Sequence, residues 1–311
     1  MSLPSSYTRV AYDLRPAKQV ERRMILDAFL KLQIGGFDLR TYHYYGFGSI
    51  YFVDFILFHK LLGINKLTSI EGDLGAESRI KYNVPFNIIN VEMEMSYNVI
   101  PKIREDERII FWLDYDTKIN SSILEDIANA SSKMCSGSVL LATIDARQAV
   151  EDPQRNYMML KDEIGDYIPY GASQRDFVKS NYFNTLARIL FNSGLQGIAG
   201  YPDKSLMPLF KIFYKDSCPM ITIGYMICDS ADKRRLKKID FAECPFVVKK
   251  MEDSLYDIHV PKLTRKERSY LDSHMPRKGK WRPGEFHLAE EDLDAYNKIY
   301  RFNPSYAELF Y

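Results

Sequence analysis

Several functional classes lack their marks in this sequence. The four cysteines, Cys135, Cys218, Cys228 and Cys244, show neither CxxC spacing nor a dense framework. No disulfide scaffold is expected, and reduced thiols of a cytoplasmic protein are. The five histidines lie far apart, with no HExxH motif and no Cys/His cluster, so no metal site is expected either. The longest apolar run, Ile50 to Leu62, is broken by Asp54, His59 and Lys60. That is too short and too polar for a bilayer span, and a membrane partner is not expected. Met1-Ser-Leu-Pro-Ser-Ser6 lacks the basic start and apolar core of a signal peptide. Neither an internal repeat nor a low-complexity tract is present.

Aromatic residues, by contrast, are plentiful: 22 Tyr and 18 Phe in 311 residues, beside only 2 Trp. They imply a well-buried core. The net charge of +1 hides an asymmetry, because residues 232 to 282 carry fifteen Lys/Arg against eight Asp/Glu. The two densest stretches are Lys233-Arg-Arg-Leu-Lys-Lys238 and Arg277-Lys-Gly-Lys-Trp-Arg282. Such stretches form a solvated basic face, or a surface for nucleic acid or another anionic partner.

The apolar periodicity gives an organisation. Val20, Met24, Ile25, Ala28, Phe29 and Leu32 recur at helical spacing after Pro16, and Gly35-Gly36 stops the run. Lys18, Gln19, Arg22 and Arg23 fall on the other face of this helix, which is placed to cover a sheet or the mouth of a site. Strand and helix signals then alternate: strands at 41–45, 66–71, 87–91, 108–113 and 138–144, with helical segments at 49–62, 76–82 and 122–130, the last opened by a Ser122-x-x-Glu125 capping box. Gly194 is expected to end a long helix begun at Ser173. Two β-rich runs, Leu206–Tyr214 and Met220–Cys228, are joined by Lys215-Asp-Ser-Cys-Pro219, short enough only for an antiparallel hairpin. The fold class is therefore α/β: a doubly wound, mostly parallel, seven-stranded sheet with a terminal antiparallel hairpin. Residues 1–40 are expected to form a helical N-terminal extension, 41–230 the doubly wound domain, and 231–311 an irregular, basic C-terminal extension carrying a Thr264-x-x-Glu267 capping box.

Tyr44-Tyr45-Gly46-Phe47-Gly48-Ser49 follows the first strand and precedes a helix. Missing side chains there let backbone N–H groups approach a ligand, with the helix N-terminus adding positive potential. Glu71 ends the next strand, where a carboxylate can accept both hydroxyls of a ribose. Trp112-Leu-Asp114-Tyr-Asp116-Thr-Lys118 ends a buried strand in two carboxylates and a lysine at the carboxyl edge of the sheet. On these residues, segment 42–147 resembles class I (Rossmann-type) S-adenosylmethionine-dependent methyltransferases, and the Asp114 run is similar to that of small-molecule O-methyltransferases.

The resemblance implies a cofactor, S-adenosyl-L-methionine, held by Tyr45, Gly46, Phe47, Gly48, Ser49, Glu71, Glu94 and Asp114. It implies Asp114 or Asp116 as catalytic base or orienting group, with methyl transfer to an oxygen or nitrogen. Lys18, Gln19 and Tyr45 line the mouth of the site or pack structurally. Asp145, ending the following strand, matches a metal ligand of some relatives, but Ala146 replaces the Asn that completes their set. The fourth strand lacks the Asn/Asp-Pro-Pro-aromatic motif and the Pro-Cys nucleophile of base methylases, which disfavours DNA bases as acceptors. Two other readings stay open. One is a non-catalytic module binding nucleic acid or a partner through residues 232 to 282. The other is a nicotinamide-dependent oxidoreductase, against which the late hairpin and the missing third glycine argue.

Overall fold

The computed structural model describes residues 15–304; the expectations for the first residues and for the aromatic tail to Tyr311 lie outside them. Helix α1 (Pro16–Ile34) has proline in its first turn, where a missing N–H is harmless, and ends at Gly35-Gly36 with Gly36 at φ 94°. The strands that follow are β1 (His43–Gly46), β2 (Lys66–Ile70), β3 (Ile89–Glu92), β4 (Ile109–Lys118), β5 (Val139–Asp145), β6 (Ser205–Lys215), β7 (Pro219–Cys228) and β8 (Tyr256–Ile258). The remaining helices are α2 (Val53–Leu62), α3 (Glu77–Tyr82), α4 (Ser96–Val99), α5 (Ser121–Lys133), α6 (Pro153–Ile164), α7 (Lys179–Ile198), α8 (Ser230–Leu236), α9 (Arg265–Asp272) and α10 (Glu290–Ile299).

The strands form one sheet in the order β3-β2-β1-β4-β5-β7-β6-β8. The first five are parallel, and β7 enters antiparallel between β5 and β6. The order reverses at β1 and β4, so the crevice at their carboxyl ends is the place where open α/β sheets bind ligands. Side chains alternate along each strand into two cores. Tyr44, Ile110 and Trp112 pack with α1 and α2 residues such as Phe29 and Phe58, and Tyr45, Phe111 and Leu113 with residues of α5 and α7. No helix among the described residues is long and apolar enough to cross a membrane.

The structure differs from the expected pattern of elements at four places. Among the described residues the sheet has eight strands, because Tyr256–Ile258 of the C-terminal extension pairs parallel with Ile212–Tyr214 of β6; three residues are too short a run to carry a periodicity. Strand β4 does not stop at Leu113 but continues through an irregularity after Asp114 to Lys118, which pairs with Asp145. Asn120, not Ser122, caps α5, its side-chain oxygen accepting the Ile123 N–H at 3.0 Å. Helix α7 starts at Lys179, after a short turn capped by Ser173, and runs through Gly194 to Ile198. There glycine serves close packing: a β-carbon on Gly197 would lie 2.0 Å from the Ala128 carbonyl oxygen of α5, and one on Gly194 2.3 Å from the Tyr225 hydroxyl.

Candidate active site

Between β1 and α2 the chain makes a tight turn that keeps two non-glycine residues, Ser49 and Phe52, in the left-handed region at φ 49° each. Each such residue costs about 1–3 kcal/mol, and such strain clusters at ligand sites. Glu71 fixes the turn from the end of β2. Its Oε1 accepts the Gly48 N–H at 2.9 Å and the Ser69 hydroxyl at 2.7 Å, and the Ser49 N–H adds to the support. Burial pushes the Glu71 carboxyl above its ordinary value, opposed by these hydrogen bonds to its charged form. The glycines are needed for a reason other than ligand approach alone. A β-carbon on Gly48 would lie 2.5 Å from Ser69 Oγ, and one on Gly46 2.3 Å from the Tyr44 hydroxyl.

Asp114 sits at the β4 irregularity, and α1 reaches it. The fully buried Lys18 ammonium lies 3.0 Å from each Asp114 oxygen, 2.8 Å from Glu21 Oε2 and 4.4 Å from the centre of the Trp112 ring. Asp114 is pulled below its ordinary value: burial opposes the charge, but Lys18, Arg22 and Arg15 together outweigh it. Glu21 goes the other way, raised by burial against the attraction of Lys18. A directional chain follows from donor chemistry. The Trp112 indole only donates, here to Thr143 at 3.0 Å, and the Thr222 hydroxyl has one proton, spent on Glu21, so the Thr143 hydroxyl donates to Thr222 at 2.8 Å. Thr222 then donates to Glu21. Beside this network Arg22 pairs with Asp54, Nε to Oδ1 at 2.6 Å, and the main-chain N–H groups of Ala17 and Lys18 are held by Asp216. The hydroxyl of Tyr214, a fully buried residue at the end of β6, has no hydrogen-bond partner among the described residues.

Phe47 stands edge-on to Tyr115 at 5.2 Å, and the Tyr115 hydroxyl donates to Asp126 at 2.6 Å. Tyr45 lies in the core, stacked on His43 at 4.1 Å. Glu94 pairs with Lys102 at 2.7 Å, and Asp116 is exposed on the β4 extension. Asp145 is engaged by Arg147, Nε to Oδ2 at 2.7 Å. Among the described residues no group of three or more His, Cys, Asp or Glu is placed to hold a metal ion. The turn, Glu71 and Asp114 thus share the carboxyl edge, as their strand positions required. Glu21, Ser69, Thr143, Thr222 and Tyr214 were not anticipated. The expectation that Lys18 and Arg22 fall on the face of α1 away from its apolar stripe is corrected here. With Glu21 they are buried and continue the stripe of Ile25, Ala28, Phe29 and Leu32, because carboxylates from distant parts of the chain meet their charges.

Residues 10–311 match the model of a family described as "Putative O-methyltransferase". Among curated proteins no sequence match was found. Among solved structures, Trm1 from Pyrococcus horikoshii in complex with S-adenosyl-L-methionine aligns at 14% identity and a TM-score of 0.51, over 76% of this chain and 62% of that one. This chain therefore spans less than two thirds of the Trm1 chain, and the likeness is one of fold. The O-methyltransferase from Bacillus cereus in complex with SAH aligns at 12% identity and a TM-score of 0.40, over 71% of this chain and 86% of that one.

Proposed function

Since the chain belongs to the family described as "Putative O-methyltransferase", we propose that it is an S-adenosylmethionine-dependent methyltransferase acting at the carboxyl edge of β1, β2 and β4. The observation that carries this reading is the reach of Glu71 from the end of β2 to the Gly48 N–H, which closes a strained turn at the point where strand order reverses. The residues fit the cofactor. A carboxylate has about four acceptor positions, so Glu71 keeps capacity for a ribose hydroxyl after Gly48, Ser49 and Ser69 are served. The partnerless buried hydroxyl of Tyr214 suits a polar group of the bound molecule.

In this proposal Gly46, Phe47, Gly48 and Ser49 present the turn to the cofactor. Tyr45 supports it from the core, and Glu94 stands near its adenine end. When bound, S-adenosyl-L-methionine supplies an electrophilic sulfonium methyl group. The chain supplies position and charge. Asp114, held anionic by Lys18, orients groups without being a strong base. The exposed Asp116 carboxylate takes the proton that an attacking hydroxyl or amine gives up. Alignment of the two reactants provides most of the acceleration. A cytoplasmic location belongs to the same proposal and is supported by four free thiols. The two basic stretches lie on different parts of the fold, Lys233–Lys238 on and after α8 and Arg277–Arg282 between α9 and α10.

Titration calorimetry with S-adenosylhomocysteine tests the reading. Binding is expected for the unmodified chain, with at least a tenfold loss for Glu71→Gln and Glu71→Ala variants whose circular dichroism shows them folded. No binding by the unmodified chain, or undiminished binding by both folded variants, overturns it.

A further inference from the structure

The region after β8 contains a surface that the cofactor site does not use. Strand β8 runs parallel to β6 with Ile258 opposite Tyr214, so the chain leaves the sheet at its carboxyl edge, the edge of Glu71 and Asp114. It then builds a small lobe on its own core of Leu271, Leu293 and Tyr296. On this lobe the rings of Tyr270, His274 and Trp281 pack together, His274 and Trp281 nearly parallel and Tyr270 tilted against them. His274 stacks on Trp281 at 4.3 Å and 14°, and Tyr270 lies 4.7 Å from His274 and 6.1 Å from Trp281 at 37° and 30°. His274 is exposed and the other two rings are half-buried. Packing of the lobe core accounts for the buried part of Trp281. The His274 ring is held in place by its Nδ1, which donates to the Tyr270 carbonyl at 2.9 Å, so its exposed face is presented in a fixed orientation.

The charges around these rings are unequally engaged. Glu290 and Asp294 hold Arg277, at 2.9 and 2.7 Å, and Asp292 holds His259 at 2.8 Å. Glu267 closes the capping box at Thr264, Asp272 accepts the Tyr296 hydroxyl, and Glu285 accepts that of Tyr270. Lys262, Lys266, Lys278 and Lys280 are exposed, and among the described residues no ion pair engages them. Most of the acids are thus committed inside the lobe, Glu291 being exposed, while Lys278 and Lys280 stand just before Trp281 in the chain.

We propose that this surface binds single-stranded nucleic acid, bases continuing the stack of Tyr270, His274 and Trp281 while Lys278 and Lys280 meet phosphates, and that this strand is the methyl acceptor. The second half rests on the methyltransferase reading above; the binding itself does not. Unpaired bases expose the π-faces that aromatic side chains take, whereas duplex bases hide them in their own stack.

The two tryptophans give a direct readout, because Trp112 is fully buried and Trp281 is half-exposed. The full chain is titrated with a fluorescent 20-nucleotide RNA, the DNA of the same sequence, their duplex forms and polyglutamate of matched charge. Single strands are expected to bind most tightly and to quench tryptophan emission, in a Trp112→Phe variant as well. His274→Ala and Trp281→Leu each weaken binding about tenfold, within the range for one stacked base. Joint Lys278→Ala and Lys280→Ala lowers the salt slope of log K by about 1.4. S-adenosylhomocysteine binding, measured in parallel, stays at its unmodified level in His274→Ala, in Trp281→Leu and in the joint lysine variant. Absence of binding at low salt, equal binding of duplex or polyglutamate, or single-strand binding without quenching overturns the proposal. Strand binding without cofactor binding overturns the methyltransferase reading and the acceptor role, and leaves the binding surface standing.

Discussion

Replacing Lys18 by methionine tests the network that ties α1 to the end of β4. The ammonium faces three carboxylate oxygens at 2.8 to 3.0 Å with its own side chain fully buried. At an effective dielectric constant near 20, one charge pair at about 3 Å is worth roughly 5–6 kcal/mol before dehydration is charged against it. Most of that gain only offsets the dehydration of the ions. Removing one partner leaves the remaining charges buried and uncompensated, so Lys18→Met is expected to lower stability by about 3–5 kcal/mol at pH 7. The loss depends on pH. Without Lys18 the Glu21 carboxyl, already above its ordinary value, rises further and Asp114 loses the largest of the charges that lower it, so the extra instability grows as pH climbs through the range in which Glu21 ionises and shrinks as pH falls and it takes up a proton. Urea unfolding at pH 7 and pH 5, with midpoint and slope read together, measures both effects. Neutralising the carboxylates as well, in Lys18→Met with Glu21→Gln and Asp114→Asn, should recover most of the loss. A deficit under about 1 kcal/mol at pH 7, or one independent of pH, would refute the reasoning, because a buried uncompensated pair of carboxylates cannot be that cheap.

Two further outcomes follow from the same sheet. Gly48→Ala puts a methyl group 2.5 Å from Ser69 Oγ and 2.9 Å from the Phe52 ring; overpacking there should cost about 1–3 kcal/mol and loosen S-adenosylhomocysteine binding through displacement of the turn, and unchanged melting and binding would refute it. His43, between Thr68 at 2.8 Å and Glu107 at 3.3 Å, is held below its ordinary value by burial, which outweighs the attraction of Glu107. Its folded pKa is depressed, so the stability tied to its neutral form is present above about 6.5 and is lost as pH falls toward the folded value; His43→Gln should flatten the stability profile on that acid side, and an unchanged profile would refute the assignment.

What the sequence made legible was what short range decides. The parallel strands, the hairpin and the Gly46–Gly48 turn each follow from a few neighbouring residues, and Glu71 from its place at a strand end. What stayed hidden depends on partners far away in the chain. Lys18 meets Asp114 across 96 positions and Thr222 meets Glu21 across 201. A periodicity reading assigns lysine and arginine to solvent because isolated charges cost too much to bury, and it has no means of seeing the carboxylates that relieve the cost. The same reasoning explains the glycines. Those of the turn were read as room for a ligand, yet the atoms nearest to their missing β-carbons belong to Tyr44, Ser69 and Phe52. Glycine there lets the protein close on itself, with Glu71 as the clasp, so the turn is set before any ligand arrives. The strain at Ser49 and Phe52 is offset in the free chain by the hydrogen bonds that Glu71 accepts from the Gly48 N–H and the Ser69 hydroxyl.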